Sequence, residues 1–346
     1  MSTKTTQSEE LLNLDRDELV EMLRQMIIGR RFEERTAEMY QMGEVGGFCH
    51  LYIGQEAVAA GSILALRADD YVITAYRDHV QALVRGVDPN AIMAELFGRV
   101  DGTSKGKGGS MHIFDAERNF LGGHAIVGSH LPLAVGVGYA IRYRESDAVC
   151  LCFMGDSVPN IGAFNESLNM AALWGLPVIF IVENNRFGMG TAWERVASLY
   201  DIAKKACAYD MPSLQVDGMD VLEMRRATQR AIERAREEKK PTLIEALCYR
   251  YMGHSMADPS HGLYRSKDEV KEQRQTEDPI QRFAEVLKKH DVIDDDDVER
   301  LDQEAQKIAA DAVEFARESP HPEPDDLYSD IYAGPFHDLR RRDPWR

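Results

Sequence analysis

Two runs of the chain, residues 149–154 (VCLCFM) and 176–182 (LPVIFIV), are apolar at odd and even positions alike. A strand with one face in water alternates apolar with polar residues, whereas a strand apolar on both parities has to be covered on both faces. The stretch between them, 163–174, repeats its apolar residues at helical spacing, so the three segments read as a right-handed βαβ unit with parallel strands. Residues 71–74 and 243–248 read as further strands and 221–236 as a further helix. The expected fold is therefore α/β, a parallel sheet with helices on both faces.

A core of that kind needs a chain of some size, and 346 residues supply one large domain or two modest ones. With 41 Lys plus Arg against 58 Asp plus Glu, the net charge of −17 repels phosphate backbones and anionic lipid. Neither nucleic acid nor a membrane surface is an expected partner; a protein or a small molecule is. The longest apolar stretch, 125–141, is interrupted by Ser129, His130, Pro132 and several glycines, so it is no spanning helix. Residues 1–10 are polar, read as frayed, and carry neither the apolar core of a secretory signal nor an Arg-rich amphipath, which makes the cytoplasm the expected compartment. The five cysteines (Cys49, Cys150, Cys152, Cys207 and Cys248) show no paired CxxC spacing and read as buried free thiols.

Three regions are expected. Residues 1–45 form a helical N-terminal segment, in which Asp15 and Glu18 make a capping-box-like pair before Leu19, Met22, Leu23, Met26 and Ile27, and which breaks at Gly43, Gly46 and Gly47. Residues 46–275 hold the sheet. Residues 276–346 form an acidic, helical extension with Val298, Leu301, Ala305, Ile308, Ala312 and Phe315 on one face. The acids at 294–297 complement the N-terminus of that helix more simply than they bind a cation. The tail from Pro320, with Pro322, Pro324 and Pro335, is expected to be extended or irregular.

In open parallel sheets, ligands bind beyond the carboxyl ends of the strands. Four such ends are unusually polar: Tyr76, Arg77 and His79; Gly155, Asp156, Ser157 and Asn160; Glu183, Asn184 and Asn185; and His254, Ser255 and Asp258. The second and third belong to one βαβ unit, so the Asp156 carboxylate and the Asn185 amide emerge at one sheet edge. With a backbone carbonyl, they leave octahedral positions for phosphate oxygens and water, as magnesium is commonly held beside a diphosphate. The turn through Gly155, Ser157 and Val158 leads into a helix whose free N–H groups would face the same anion, and Arg77 offers a bidentate contact. Asp and Asn are also ordinary turn formers, so it is the pair that carries weight. The glycine-rich stretch 102–109 is no Walker loop, because Gly106-Lys107 is followed by Gly108, and Gly136-x-Gly138 lacks the third glycine of a nicotinamide fingerprint.

Gly155-Asp156-Ser157, then 26 residues (158–183), then Asn184-Asn185 resembles the thiamine-diphosphate motif, usually Gly-Asp-Gly followed after a similar gap by Asn-Asn. The likeness is wider. Phe48-Cys49-His50-Leu51-Tyr52, Gly54-Gln55-Glu56-Ala57, Tyr76-Arg77-Asp78-His79, the stretches 105–112, 169–174 and 183–191, Ile126-Val127-Gly128 and Gly253-His254-Ser255-Met256 resemble the alpha subunits of the pyruvate branch of the 2-oxo acid dehydrogenase family. The match runs in order from about residue 15 to 280.

The resemblance implies a thiamine-diphosphate-binding fold with thiamine diphosphate and Mg2+ as cofactors. It implies that Asp156, Asn185 and the Phe187 carbonyl hold the metal, and that Tyr76, Arg77 and His254 contact the diphosphate. The backbone of Ala125 and Val127 would meet the aminopyrimidine, Met189 would wedge the cofactor into a bent shape, and His50, with His254, would serve at the reacting centre. The implied reaction decarboxylates pyruvate and passes the acetyl group to a lipoyl carrier. The implied assembly is an α2β2 heterotetramer, whose beta subunit supplies the carboxylate that activates the pyrimidine ring, working with a lipoyl-bearing dihydrolipoyl acetyltransferase.

The chain departs from the family pattern at Ser157, where glycine is usual, at Val158-Pro159 and Ile161, and at Ala125, Val80 and Ser129-His130. If the turn requires a positive φ at 157, serine is strained there. Two alternatives follow: an acetoin or branched-chain 2-oxo acid substrate, or a catalytically impaired subunit kept for assembly or regulation. Residue by residue, His79, His112, His124 and His130 have ordinary hydrogen-bonded readings, Met189 a core reading, and the polar loop 252–265 is expected to belong to the active site.

Overall fold

The computed structural model describes residues 14–330; the expectations for residues 1–10 and for Pro335 lie outside the described residues. Six parallel strands form one sheet: β1 (Tyr71–Ala75), β2 (Phe120–His124), β3 (Cys150–Gly155), β4 (Val178–Asn184), β7 (Ser213–Asp217) and β8 (Thr242–Leu247), in the order β2-β1-β3-β4-β8-β7. A separate hairpin pairs β5 (Phe187–Gly188) with β6 (Thr191–Ala192). The described α-helices are α1 (Arg16–Gln41), α2 (Glu56–Ile63), α3 (His79–Val84), α4 (Pro89–Leu96), α5 (His130–Tyr143), α6 (Gly162–Trp174), α7 (Val221–Glu237), α8 (Lys267–Thr276), α9 (Pro279–Lys289) and α10 (Asp295–Glu318). None of them is long and apolar enough to cross a membrane.

The double apolar parity is explained by two cores. Leu151 and Phe153 of β3 and Ile179 and Ile181 of β4 enter a core shared with α1, α7 and α10. Cys150, Cys152 and Met154, with Val178, Phe180 and Val182, enter a second core under α5 and α6. Sequence reasoning missed β2 and β7, and these are the two edge strands. Their sequences, FLGGH and SLQVD, lack the continuous apolar run because an edge strand has less to bury. The glycines of β2 have local causes: Gly122 sits at φ +78°, and a Cβ on Gly123 would lie 2.1 Å from the Asp78 carboxylate.

The expected apolar stripe of α1 is buried throughout. Its cap is half of the expected box: Asp15 accepts from the Glu18 N–H at 2.7 Å, while the Glu18 carboxylate turns away to Arg225 at 2.9 Å. On α10 the buried face is Leu301, Ala305, Ala309, Ala312, Val313 and Ala316, whereas Phe315 is 38 % exposed, so the expected stripe is rotated toward the small residues that allow close approach to α1 and α4. The acids at its start are accounted for by helix chemistry: Asp294 caps the helix in a reciprocal box with Asp297, and Asp295 and Asp297 pair with Lys288 and Arg300. Of the five cysteines, Cys207 is exposed rather than buried.

The glycine-rich stretch also has a structural use. The N–H groups of Ser104, Gly106, Gly108 and Gly109 all donate to the carboxylate of Glu95 on α4, at 2.7 to 3.0 Å. Its anion comes from the protein itself. Near residue 320 the chain is irregular and held by a bond from the Val100 N–H to the Pro320 carbonyl at 3.0 Å, before a short 3-10 turn at Pro324–Tyr328.

From β1 the chain moves outward to β2 on one side, and from β3 outward to β4 on the other. The crevice above β1 and β3 is therefore a topological switch point, where an open α/β sheet leaves room for a ligand.

Candidate active site

A cavity of about 700 Å³ opens at that switch point. All thirteen site residues expected from the sequence line it: Tyr76 and Arg77 beyond β1, Ala125 and Val127 beyond β2, and Gly155, Asp156, Ser157 and Val158 at the end of β3. Asn185, Phe187 and Met189 follow β4, His254 follows β8, and His50 comes from the segment between α1 and α2. They come from six separate stretches of chain, which the parallel sheet brings together.

One corner gathers oxygen donors. Gly155 of β3 and Glu183 of β4 are direct register partners, so the residues after them leave the sheet side by side. Asp156 is 3 % exposed, and its Oδ2 has no hydrogen-bond partner among the described residues. Burial pushes its carboxyl up to about 6, against the pull of the Arg250 guanidinium. The Asn185 amide is oriented from both ends: its Nδ2 donates to Gln55 Oε1 at 2.9 Å, and its Oδ1 accepts the Phe187 N–H at 3.3 Å. Asn184 turns the other way, donating to Glu245 at 2.7 Å. A buried carboxylate oxygen without a partner beside a fixed amide oxygen is the donor set a hard divalent ion takes.

Ser157 sits in this corner at φ −77°, an ordinary right-handed conformation, so the strain weighed from the sequence is absent. Pro159 lies in the 3-10 turn Val158–Asn160, where its missing N–H costs little. Met189 has left the core reading behind: it sits at φ +55° in the β5–β6 turn, 61 % exposed at the cavity rim.

Two arginines that line the same cavity suit an anion. Arg77 donates to the Leu51 carbonyl and, at 2.8 Å, to the His254 carbonyl. Arg250 donates to the Met252 carbonyl at 3.1 Å and to the Tyr264 hydroxyl at 3.0 Å. Burial and the neighbouring Arg77 push the Arg250 guanidinium down to about 10. Two buried guanidiniums whose hydrogen bonds go to neutral oxygens keep charge that an anionic ligand could pair with.

His50 and His254 also line the cavity, with ring centroids 5.1 Å apart, as does Tyr76, whose ring is 4.5 Å from that of His50. Burial and Arg77 push His50 down to about 2 and His254 to about 4, so both imidazoles are neutral near pH 7, each with one N–H and one lone pair. Burial pushes Glu183 up to about 7, although the Tyr52 hydroxyl and Gln81 Nε2 donate to it.

Other histidines follow their plainer readings. His112, His124 and His130 each hydrogen-bond a backbone carbonyl and do not line the cavity. The loop 252–265 does reach it, through His254, Ser255, Ala257 and Asp258, and is pinned by Arg265 to the carbonyls of Met252 at 2.7 Å and Ser260 at 3.1 Å. Gln55 and Arg250 are lining residues to which sequence reasoning gave no role. Arg250 carried a usable signal, a lone arginine just past a strand's carboxyl end. Gln55 carried none, since its value comes from contact with Asn185, 130 residues away.

The family described as the dehydrogenase E1 component matches residues 24–325. The pyruvate dehydrogenase E1 component subunit alpha of Rhizobium meliloti is 48% identical over 308 residues, covering 89% of this chain and 88% of the relative. The protein of the same name in Rickettsia bellii is 42% identical over 318 residues, 92% of this chain and 97% of the relative. That of Porphyra purpurea is 44% identical over 329 residues, 93% and 95% of the two chains.

Proposed function

This chain belongs to the dehydrogenase E1 component family, and from that premise we propose that it is the alpha subunit of a thiamine-diphosphate-dependent pyruvate dehydrogenase, decarboxylating pyruvate and passing the acetyl group to a lipoyl carrier. The observation that carries the reading is the pairing, in one cavity, of an unpartnered buried carboxylate oxygen on Asp156 with two guanidiniums, Arg77 and Arg250, whose hydrogen bonds go to neutral oxygens. A magnesium ion on a diphosphate satisfies both sides at once. Ser157 does not argue for an impaired subunit, because serine is unstrained at its φ.

In this reading Asp156, Asn185 and the Phe187 carbonyl hold Mg2+, while Tyr76, Arg77 and His254 take the diphosphate, with Gly155, Ser157 and Val158 forming the turn around it. The backbone of Ala125 and Val127 receives the aminopyrimidine, and Met189 supports the bent shape from the hairpin turn. Bound there, thiamine diphosphate supplies the electron sink for decarboxylation. The chain's own residues do the rest. Arg77, fixed by two carbonyls, orients the anionic tail without a large entropy loss. His50 and His254, neutral by burial and by the nearby guanidiniums, each present one N–H donor and one lone pair beside the reacting centre near pH 7.

The exposed apolar side chains that line the cavity, Phe48 at 65 %, Val127 at 42 % and Met189 at 61 %, support a partner that covers it. We assign that cover to a beta subunit in an α2β2 heterotetramer, which also brings the carboxylate that activates the pyrimidine ring. The assembly then works with a lipoyl-bearing dihydrolipoyl acetyltransferase. Free thiols suit the reducing cytoplasm.

The test is calorimetric titration of the chain, co-expressed with its beta subunit, with thiamine diphosphate in the presence and absence of Mg2+. Pyruvate turnover is followed with an artificial electron acceptor. Saturable, Mg2+-dependent binding and turnover of pyruvate ahead of acetoin and branched-chain oxo acids are expected; no saturable binding overturns the reading.

A further inference from the structure

The segment that carries His50 is tied down by side chains from several elements. The His50 N–H donates to Ser110 Oγ at 3.4 Å, and the Leu51 carbonyl accepts from Arg77. The Tyr52 N–H donates to Glu33 Oε1 at 2.8 Å, and the Tyr52 hydroxyl donates to Glu183. Two of these anchors are themselves joined. Glu33 uses its other oxygen to hold His79 Nδ1 at 2.9 Å, and His79 Nε2 meets Ser110 Oγ at 2.9 Å and the Ser110 carbonyl at 3.0 Å. Glu33 is on α1, His79 opens α3, and Ser110 follows the glycine-rich stretch, so one chain of contacts spans three distant elements.

Glu33 and His79 are 0 % exposed and Ser110 is 2 % exposed, and none of the three lines the cavity. An ionic and hydroxyl chain taken wholly out of water gains little stability over apolar packing of the same volume. What it does provide is direction, because each bond fixes an angle as well as a contact. Burial opposes a charge on His79, and the Glu33 carboxylate outweighs it, raising its pKa. Both ring nitrogens are engaged, Nδ1 with the carboxylate and Nε2 with Ser110.

The geometry points to Glu33, His79 and Ser110 as a positioning chain that sets the placement of His50 in the cavity. The inference rests on the reading of His50 as a group beside the reacting centre. A misplacement of about 1 Å in such a group costs on the order of a hundredfold in rate without altering what binds the substrate. Ser110 is the member to change, since removing one hydroxyl leaves the Glu33–His79 pair in place.

The experiment compares wild type with Ser110→Ala and Ser110→Thr in the full chain assembled with its beta subunit. It measures kcat and KM for pyruvate, cofactor affinity, and amide hydrogen exchange of residues 49–52 in the cofactor-free protein. For Ser110→Ala, kcat is expected to fall by roughly ten- to a hundredfold, with KM and cofactor Kd within about twofold of wild type, and with faster exchange confined to 49–52. Ser110→Thr, which keeps the hydroxyl, is expected to recover most of the turnover. Wild-type kcat and exchange in Ser110→Ala would overturn the inference. So would a loss of kcat that is matched by equal losses of cofactor affinity and of stability, the mark of a merely structural residue. A wild type that turns over no pyruvate would instead sink the functional reading, while the exchange measurement still decides whether Ser110 holds the segment.

Discussion

A buried carboxylate with an unpartnered oxygen makes Asp156 a residue that the empty fold holds at a cost. Its folded pKa of about 6 lies above the ordinary 3.8. Between those values the folded chain binds more protons than the unfolded one, so stability contributed at this position falls as pH rises, and the penalty is complete above about pH 6. Asp156→Asn is therefore expected to make the cofactor-free protein more stable at pH 8, by about 1–3 kcal/mol. The advantage should vanish by about pH 4, where wild type is protonated in both states, and Mg2+-dependent cofactor binding should be abolished at every pH. Urea unfolding at the two pH values, with calorimetry on the same samples, checks this; a destabilised variant at pH 8 would mean that the carboxylate already has a partner. Asp156 and Asn185 were legible in the sequence as a pair: either alone is an ordinary turn former, but two oxygen donors leaving adjacent strands of one βαβ unit suit a hard cation. Gln55 was not, because what defines it is its contact with Asn185, far away in the chain.

At the level of elements, the central strands were readable from double parity and the edge strands were not, which follows from how much each must bury. A second illegible device joins α5 to β3. His130, at the first turn of α5, donates from Nε2 to the Phe153 carbonyl at 2.8 Å, holding the helix against the strand that delivers Asp156. Burial pushes this imidazole down to about 4. With its folded pKa depressed below the ordinary 6.5, the unfolded chain takes up a proton that the folded chain refuses. The stability is fully present above about pH 6.5 and is lost as pH falls toward 4. His130→Gln keeps an amide donor for the same carbonyl but has nothing to protonate. It is expected to lose on the order of 2 kcal/mol less than wild type between pH 6.5 and 4. Carboxyls that act in the opposite sense, such as Asp156 and Glu183, are common to both proteins and cancel in the difference. Parallel acid-unfolding slopes for the two would show that His130 is already hydrated in the fold.

Across the whole molecule, composition marks where the chain turns acidic but cannot show that Leu23 and Leu301, at opposite ends, share one core with the sheet. Nor can it show the ionic knot that ties those ends to the cavity. Arg30 of α1 pairs with Glu56 of α2 at 2.6 Å and with Asp278, the cap of α9, at 2.9 Å, all buried. Glu56 also receives the Gly54 N–H at 3.1 Å, and the next residue, Gln55, orients Asn185. One cation serves two anions here, so the partners are not equivalent. Taking away Arg30 leaves two carboxylates buried side by side, whereas neutralising Asp278 leaves a matched pair. Arg30→Met is therefore expected to cost about 3–5 kcal/mol, and Asp278→Asn, which keeps an oxygen to cap α9, about 1–2 kcal/mol. Urea unfolding at neutral pH measures both. Because Gln55 rides on the same knot, the arginine variant should also bind thiamine diphosphate and Mg2+ more weakly than the asparagine variant at a temperature where both are folded. Equal stability losses in the two would mean that solvent reaches the cluster and screens it, and the link from the chain's ends to the cation corner would then be packing alone.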